Sequence, residues 1–257
     1  MRTPDDQRWY RLSIAGVVIM AWVVLGLWGA SPYAGLLQHH RGTGDGNLAP
    51  VLRLVLFVLG WTLMSAAMML PGSLPLVNLF RKLTLNRPDH STLVLWLGLG
   101  YLGTWAVFGA LLFVIDRTVV HAVVERLPSL GAGSGIAALT LLVAGVYQFT
   151  PLKHMCLEKC RSPYSFVVEY WQGRRPSKDA LRLGARHGLF CVGCCWTLML
   201  LMFAVGLANL GWMLVLGALM AAERTTRWGR YLTGPLGLAL VLWAVLVLAG
   251  RLSFPAS

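Results

Sequence analysis

Long apolar runs constrain the fold of this chain more than any other feature. A helix needs ~20 apolar residues to cross the hydrocarbon core of a bilayer, with ~17 as the lower end. A water-soluble fold has no means of burying so much apolar surface in 257 residues of which only 12% are charged. The sequence therefore predicts an all-α, polytopic transmembrane helix bundle. Its apolar runs lie at 13–30, 51–71, 92–115, 135–151, 188–222 and 233–250.

The stretch 188–222 decides how many helices the bundle has. It is short for two crossings but far too long for one. Asn209 and Gly211 are the turn-forming residues near its middle. We predict a tight hairpin here and seven transmembrane helices, with a six-helix bundle as the alternative. Pro71, at the end of the second run, is expected to end or kink its helix.

The distribution of basic residues orients this bundle. The chain carries a net charge of +12, and in a seven-helix arrangement most Lys and Arg lie on the side of the N-terminus. The positive-inside rule then predicts a cytoplasmic N-terminus in a bacterial inner membrane, with the lipid bilayer as a partner. No basic helix carries interleaved aromatic residues, so nucleic acid is excluded as a partner. The basic segments on that side are 2–11, 81–87, 153–186 and 224–230.

No internal repeat or linker divides the chain, which predicts one transmembrane domain over 1–257. Its longest non-spanning part, at about 152–186, mixes aromatic and basic residues. That mixture is typical of a segment lying at the cytoplasmic face of the membrane. Within it, Lys153 and Arg161 are expected to serve as interfacial anchors.

Sulfur and imidazole side chains on one face of the fifth predicted helix form the strongest chemical signal. Lipid-facing positions gain nothing from such residues, so this face is expected to point into the bundle. It carries His187, Cys191, Cys194, Cys195 and Met202, which lie close together at ~100° per residue.

Two further groups of soft ligands lie on other helices. Cys156 and Cys160 follow the fourth run at an i, i+4 spacing, which places both sulfur atoms on one helix face. Met64 and Met68 share a face of the second helix in the same way. Under the predicted topology all three groups lie at similar depth, near the cytoplasmic side. We therefore expect sulfur atoms from three helices to converge there.

Thiolates and thioethers with one imidazole favour copper(I), and zinc is the usual competitor. The thioethers of Met64 and Met68 favour copper(I), because zinc hardly binds thioether sulfur. His187 and Cys194 are separated by a rise of ~10 Å along the helix, so one ion cannot collect the whole face. Either one site combines His187 and Cys191 with Cys156 or Cys160, or several sites form a ladder. Neighbouring polar side chains, Tyr147 and Gln148, are candidate hydrogen-bond donors to the ligands.

The sequence resembles a bacterial family described as predicted metal-binding integral membrane proteins, a domain of unknown function. The resemblance implies a membrane metal site but supplies no reaction. The matching blocks are 67–71, Tyr147-Gln148, 151–153, Cys156, Cys160-Arg161, Pro163, 186–199, Trp212-Met213 and Glu223.

Copper(I) binding, delivery or transport is the leading functional hypothesis, with the metal ion and a metal chaperone or membrane-complex subunit as partners. A membrane oxidoreductase that uses a metal or dithiol site is the first alternative, so enzymatic activity stays open and no catalytic residue is assigned. An accessory or assembly subunit whose cysteines merely pack is the second alternative.

Overall fold

The computed structural model describes residues 16, 18–27, 49–120, 134–205 and 210–250. Within those residues the chain is helical and contains no strand, in agreement with the predicted all-α class. A five-residue π-helix, Asp116–Val120, follows the third helix. The α-helices are α1 Val18–Leu27, α2 Pro50–Thr84, α3 His90–Ile115, α4 Ser134–Tyr147, α5 Pro151–Arg161, α6 Pro163–Tyr170, α7 Pro176–Val205, α8 Leu210–Thr225 and α9 Gly229–Leu248.

Four of these helices are long and apolar enough to cross a membrane, namely α2, α3, α7 and α9. The number rises to five if the bent pair of α4 and α5 counts as one span. This count rests on length and composition alone and covers only the described residues. It supports a bundle of apolar helices, whereas seven crossings stay a prediction.

The stretch 188–222 contains parts of two helices, α7 and α8, rather than one. Arg224 at the end of α8 contacts Cys195 in α7, so α8 turns back alongside the helix that precedes it. Gly211, one of the two predicted turn residues, lies within α8. The turn itself, including Asn209, lies outside the described residues.

Helix α2 continues past Pro71 and also contains Pro75. The prediction that the helix ends at Pro71 is therefore wrong, and a kink there stays a prediction. Here the helix runs on to Thr84 because its inner face stays buried beyond the proline, including Gly72, Leu76 and Phe80. Packing on that face compensates for the lost backbone hydrogen bond.

Close packing between α3 and α7 sets the position of the central helix. A Cβ atom added at Gly100 would overlap the carbonyl oxygen of Leu181, and one added at Gly184 would overlap that of Leu97. The two backbones therefore approach as closely as glycine permits, as small residues allow at helix interfaces in membranes. This contact holds α7 in the middle of the bundle.

A sharp break separates α4 from α5, whose axes differ by 66°. Pro151 begins α5, and the Thr150 side chain accepts a hydrogen bond from the Lys153 backbone N–H as the N-cap. The bend folds α5 back against α7. Its inner face is consequently buried among the other helices.

Candidate metal centre

Three thiols of α7 form a hydrogen-bonded group inside the bundle. Cys191, Cys194 and Cys195 are all buried. The Cys194 and Cys195 thiols donate to the backbone carbonyl of Cys191 at 3.2 and 2.9 Å. The Cys195 thiol is also close enough to interact with each of the other two thiols. The predicted face thus points into the bundle, and its sulfur atoms lie within reach of one another.

Helix α5 adds two more thiols to this group. Cys160 lies close enough to Cys194 for the two thiols to interact across the helix interface. Cys156 lies against Gly193, where an added Cβ would come within 2.6 Å of its Sγ atom. Glycine at 193 therefore lets the Cys156 sulfur approach α7. Both sulfur atoms face α7, as their i, i+4 spacing predicts.

Helix α2 contributes a thioether. The Sδ atom of Met69 lies 3.8 Å from Cys195 Sγ. The predicted residue Met68 packs against Gly217 of α8, and Met64 is fully buried in the same apolar core. Sequence reasoning did not select Met69, because the i+4 step from Met64 leads to Met68. Its signals were its place next to Met68 and within the matching block 67–71.

Two rings border the thiols on the side of α3. The Tyr101 hydroxyl lies 3.0 Å from Cys191 Sγ. The His187 ring stacks on Tyr101, with centroids 5.6 Å apart, and meets the edge of Phe166 at 5.5 Å. His187 Nδ1 is buried and has no hydrogen-bond partner among the described residues. An unpartnered imidazole nitrogen beside thiols fits a ligand role, since buried polar atoms are normally satisfied.

A buried ion pair joins α5 to α8. Lys153 is 0% exposed, and its Nζ lies 2.9 Å from Glu223 Oε2 and also donates to Gln148. The prediction that Lys153 is an interfacial anchor is therefore wrong, because the bend before α5 turns this side chain inward to the Glu223 carboxylate and the Gln148 amide oxygen. Tyr147, the other predicted supporting donor, donates to the carbonyl of Gly193.

Arg161, the second residue predicted to be an interfacial anchor, also contacts the end of α8. Its guanidinium donates to the carbonyl of Glu223, and to that of Thr226 at 2.6 Å. Carbonyl groups at a helix C-terminus have no partner within the helix and favour a cation. Arg161 thereby holds the end of α8 beside the cysteines of α5.

A second buried cation lies in the sulfur group itself. Arg224 Nη2 donates to Cys195 Sγ at 3.0 Å and to Met69 Sδ at 3.2 Å. From here on, "sulfur cluster" denotes the five cysteines and Met69. Arg224 and Tyr101 were not predicted as site residues, because neither residue type is a soft metal ligand. The signal for Arg224 was its place at the end of an apolar run.

No three His, Cys, Asp or Glu side chains in the described part of the chain have the arrangement of a ready-made metal site. The thiols of α7 instead make hydrogen bonds to the Cys191 carbonyl, to Tyr101 and to Arg224. Binding of a soft ion would require these hydrogen bonds to give way to metal–thiolate bonds. The donor set of thiols, a thioether and an unpartnered imidazole nitrogen is nonetheless the set that copper(I) prefers.

Comparison with known protein families supplies the chemical context. The family model PpoB2, described as a copper chaperone, matches residues 58–247. The chain belongs to this copper chaperone family. No curated protein and no solved structure matches the chain.

Membership in the copper chaperone family confirms the copper prediction at the level of the family. The matched range begins within α2 and ends within α9, so it contains every residue of the sulfur cluster. Copper is the cargo of such a family.

Proposed function

We propose that this chain is a membrane-integral carrier of copper(I) that holds its cargo in the sulfur cluster and passes it to a partner. One observation supports the proposal above all others. Sulfur atoms from three helices lie in one buried group, since Cys156 of α5 packs against Gly193 of α7 and Met69 Sδ of α2 lies 3.8 Å from Cys195 Sγ. A copper chaperone family needs soft ligands in such a group.

The oxidation state follows from the softness of the ligands. Thiolate and thioether sulfur select copper(I), and zinc gains little from a thioether. The proposed ligands are Cys160, Cys194 and Cys195 with Met69, while Cys156, Cys191 and His187 lie next to them. Metal–sulfur bonds of ~2.3 Å prevent one ion from binding every donor at once. Excess donors suit a carrier, because the ion can exchange ligands stepwise as it leaves.

The membrane setting is part of the same proposal. Seven crossings of a bacterial inner membrane with a cytoplasmic N-terminus follow from the apolar runs and the positive-inside rule. Within the predicted interfacial segment 152–186, we assign the membrane interface to α6 and to the residues between α6 and α7. Tyr164 and Val168 are exposed there, and Arg174 and Arg175 follow them. Exposed apolar residues beside basic ones suit a lipid headgroup region.

Copper(I) titration of the detergent-purified full chain tests the proposal. Under anaerobic, reducing conditions with a chromophoric competitor, we expect the wild type to bind copper(I). Changing Cys160→Ser together with Cys194→Ser should weaken binding at least about 100-fold, equal to ~2.7 kcal/mol. Hydroxyl oxygen is a poor ligand for a soft ion.

Thr197→Val is the matched control for that titration. Thr197 is buried on the same helix, and its hydroxyl has no hydrogen-bond partner among the described residues. We expect unchanged copper(I) binding. The proposal fails if the wild type binds no copper(I), or if the double cysteine variant binds it as tightly as the wild type does.

Adjacent methionines offer a separate test of the thioether. Met69→Leu should weaken copper(I) binding about tenfold, or ~1.4 kcal/mol, because it removes the sulfur beside Cys195. Met68→Leu should leave the affinity unchanged, because Met68 packs against Gly217 and leucine conserves the volume. The same competitor titration measures both. A larger loss in Met68→Leu would instead favour the ligand predicted from helical spacing.

A further inference from the structure

His187 and Cys191 form a pair of donors at one edge of the sulfur cluster. They lie one turn apart on α7, which places their Cβ atoms ~5–6 Å from each other. Tyr101 contacts both of them, since its hydroxyl lies 3.0 Å from Cys191 Sγ and its ring stacks on the imidazole. The two side chains are therefore close enough to bind one ion between them.

This pair is separate from the ligands proposed to hold the resting ion. Along α7, His187 and Cys194 are ~10 Å apart, whereas bonds from a metal to nitrogen or sulfur are only ~2.0–2.3 Å long. An ion held by Cys194 is thus out of reach of the imidazole. His187 Nδ1 is buried without a hydrogen-bond partner in the part of the chain that the structure describes. It is consequently available to an ion that has left Cys194.

One short helix, α6, separates His187 from the surface of the bundle. The Phe166 ring of α6 is 0% exposed and meets the imidazole at a centroid distance of 5.5 Å. Tyr164 and Val168, two residues before and after this phenylalanine, are exposed. Arg186, the residue before His187, is exposed as well. An ion bound to His187 is therefore covered on this side by a single aromatic ring.

We propose that His187 and Cys191 form a transfer site beneath α6, through which copper(I) enters and leaves the sulfur cluster. The inference rests on the proposed function and names the route of its cargo. The ion stays copper(I) throughout. On the way out, bonds to His187 and Cys191 form as the bond to Cys194 breaks, and the proton of the Cys191 thiol passes to the Cys194 sulfur. Two donors bind the ion less tightly than the full cluster does, as a site of passage requires.

Transfer of bound copper(I) from the purified full chain to an excess of a chromophoric chelator, followed by stopped-flow absorbance, tests this route. His187→Leu removes the donor and should slow transfer at least about tenfold, which is ~1.4 kcal/mol in the barrier. Its equilibrium affinity in the competitor titration should stay within about threefold of the wild-type value. His187→Met has nearly the volume of the leucine variant but supplies a soft donor, so it should restore fast transfer.

The aromatic cover over the imidazole gives a second measurement. Phe166→Leu leaves a smaller side chain over His187 and should speed transfer about threefold. Phe57→Leu is the matched control, since Phe57 is also buried but lies near the start of α2. Phe80, toward the end of α2, contacts Trp171 directly after α6, so Phe57 is remote from α6. The control variant should transfer copper(I) at the wild-type rate.

An unchanged transfer rate in His187→Leu overturns the inference. So does transfer as slow in His187→Met as in His187→Leu, because the imidazole would then act through packing alone. A loss of affinity in His187→Leu as large as in the double cysteine variant also overturns it, because His187 would then bind the resting ion. Equal rates in Phe166→Leu and Phe57→Leu contradict a route beneath α6. A wild type that binds no copper(I) would instead overturn the proposed function, so the two failures can be told apart.

Discussion

Gly100→Ala is expected to destabilise the protein by at least about 3 kcal/mol, at the upper end of the cost of forcing a methyl group into a packed interior. The added Cβ would overlap the carbonyl oxygen of Leu181. A backbone atom cannot rotate away, so α3 and α7 must separate. Separation would expose the helix that carries half of the sulfur cluster. Denaturant or thermal unfolding of the purified protein measures the loss.

Gly98→Ala is the matched control, two residues earlier on the same helix. An added Cβ there meets no atom within 4 Å. Alanine is the better helix former by roughly 0.5–1 kcal/mol, so this variant should be as stable as the wild type or slightly more stable. Equal stability of the two variants would contradict the close packing of α3 against α7.

Lys153→Met or Glu223→Gln alone should cost about 3–5 kcal/mol of folding free energy, because either change leaves the other partner without its charge partner in the interior. The pair is almost completely buried, with side-chain exposures of 0% and 3%. Loss of the pair should also loosen α5 from α8. Unfolding measurements give the change in folding free energy. Faster alkylation of Cys160 in the single variants than in the wild type reports the loosening of α5 from α8.

The double variant Lys153→Met, Glu223→Gln should recover most of the stability, since neither charge is then left alone. Lys159→Met provides the contrast. Lys159 pairs with Glu169 at 2.6 Å, but both side chains are largely exposed, at 36% and 44%, so its removal should have no measurable effect. Single variants of the buried pair that are as stable as the wild type would disprove its structural role.

Helix class and approximate extent were predictable because the apolar runs are long and uninterrupted. The second, third and fourth runs correspond to α2, α3 and α4, and 188–222 resolves into α7 and α8. The prediction that α2 ends at Pro71 was wrong, since the effect of one missing hydrogen bond was outweighed by the burial of the rest of the helix face. The number of crossings stays a prediction.

The cysteine face of α7 was predictable for a similar reason. Helical periodicity relates Cys191, Cys194 and Cys195 without reference to any other part of the chain. The topology predicted only that Cys160 and Cys194 lie at similar depth. Depth along a helix does not determine its rotation about its axis, so the sequence did not predict that the two side chains face each other. Met69 illustrates the limit, because adjacent residues on a helix point ~100° apart and only the partner helix decides which one faces the thiols.

The sequence by itself determined that this chain forms apolar helices and carries soft ligands on one helix face, because both properties depend on residue type and local period. Only the tertiary structure determined which charged side chains are buried and which groups they contact. It turned Lys153 inward to Glu223 and placed Arg224 against Cys195. A buried charge is tolerated only where distant parts of the chain supply its partners, and no local pattern encodes which distant residues those will be.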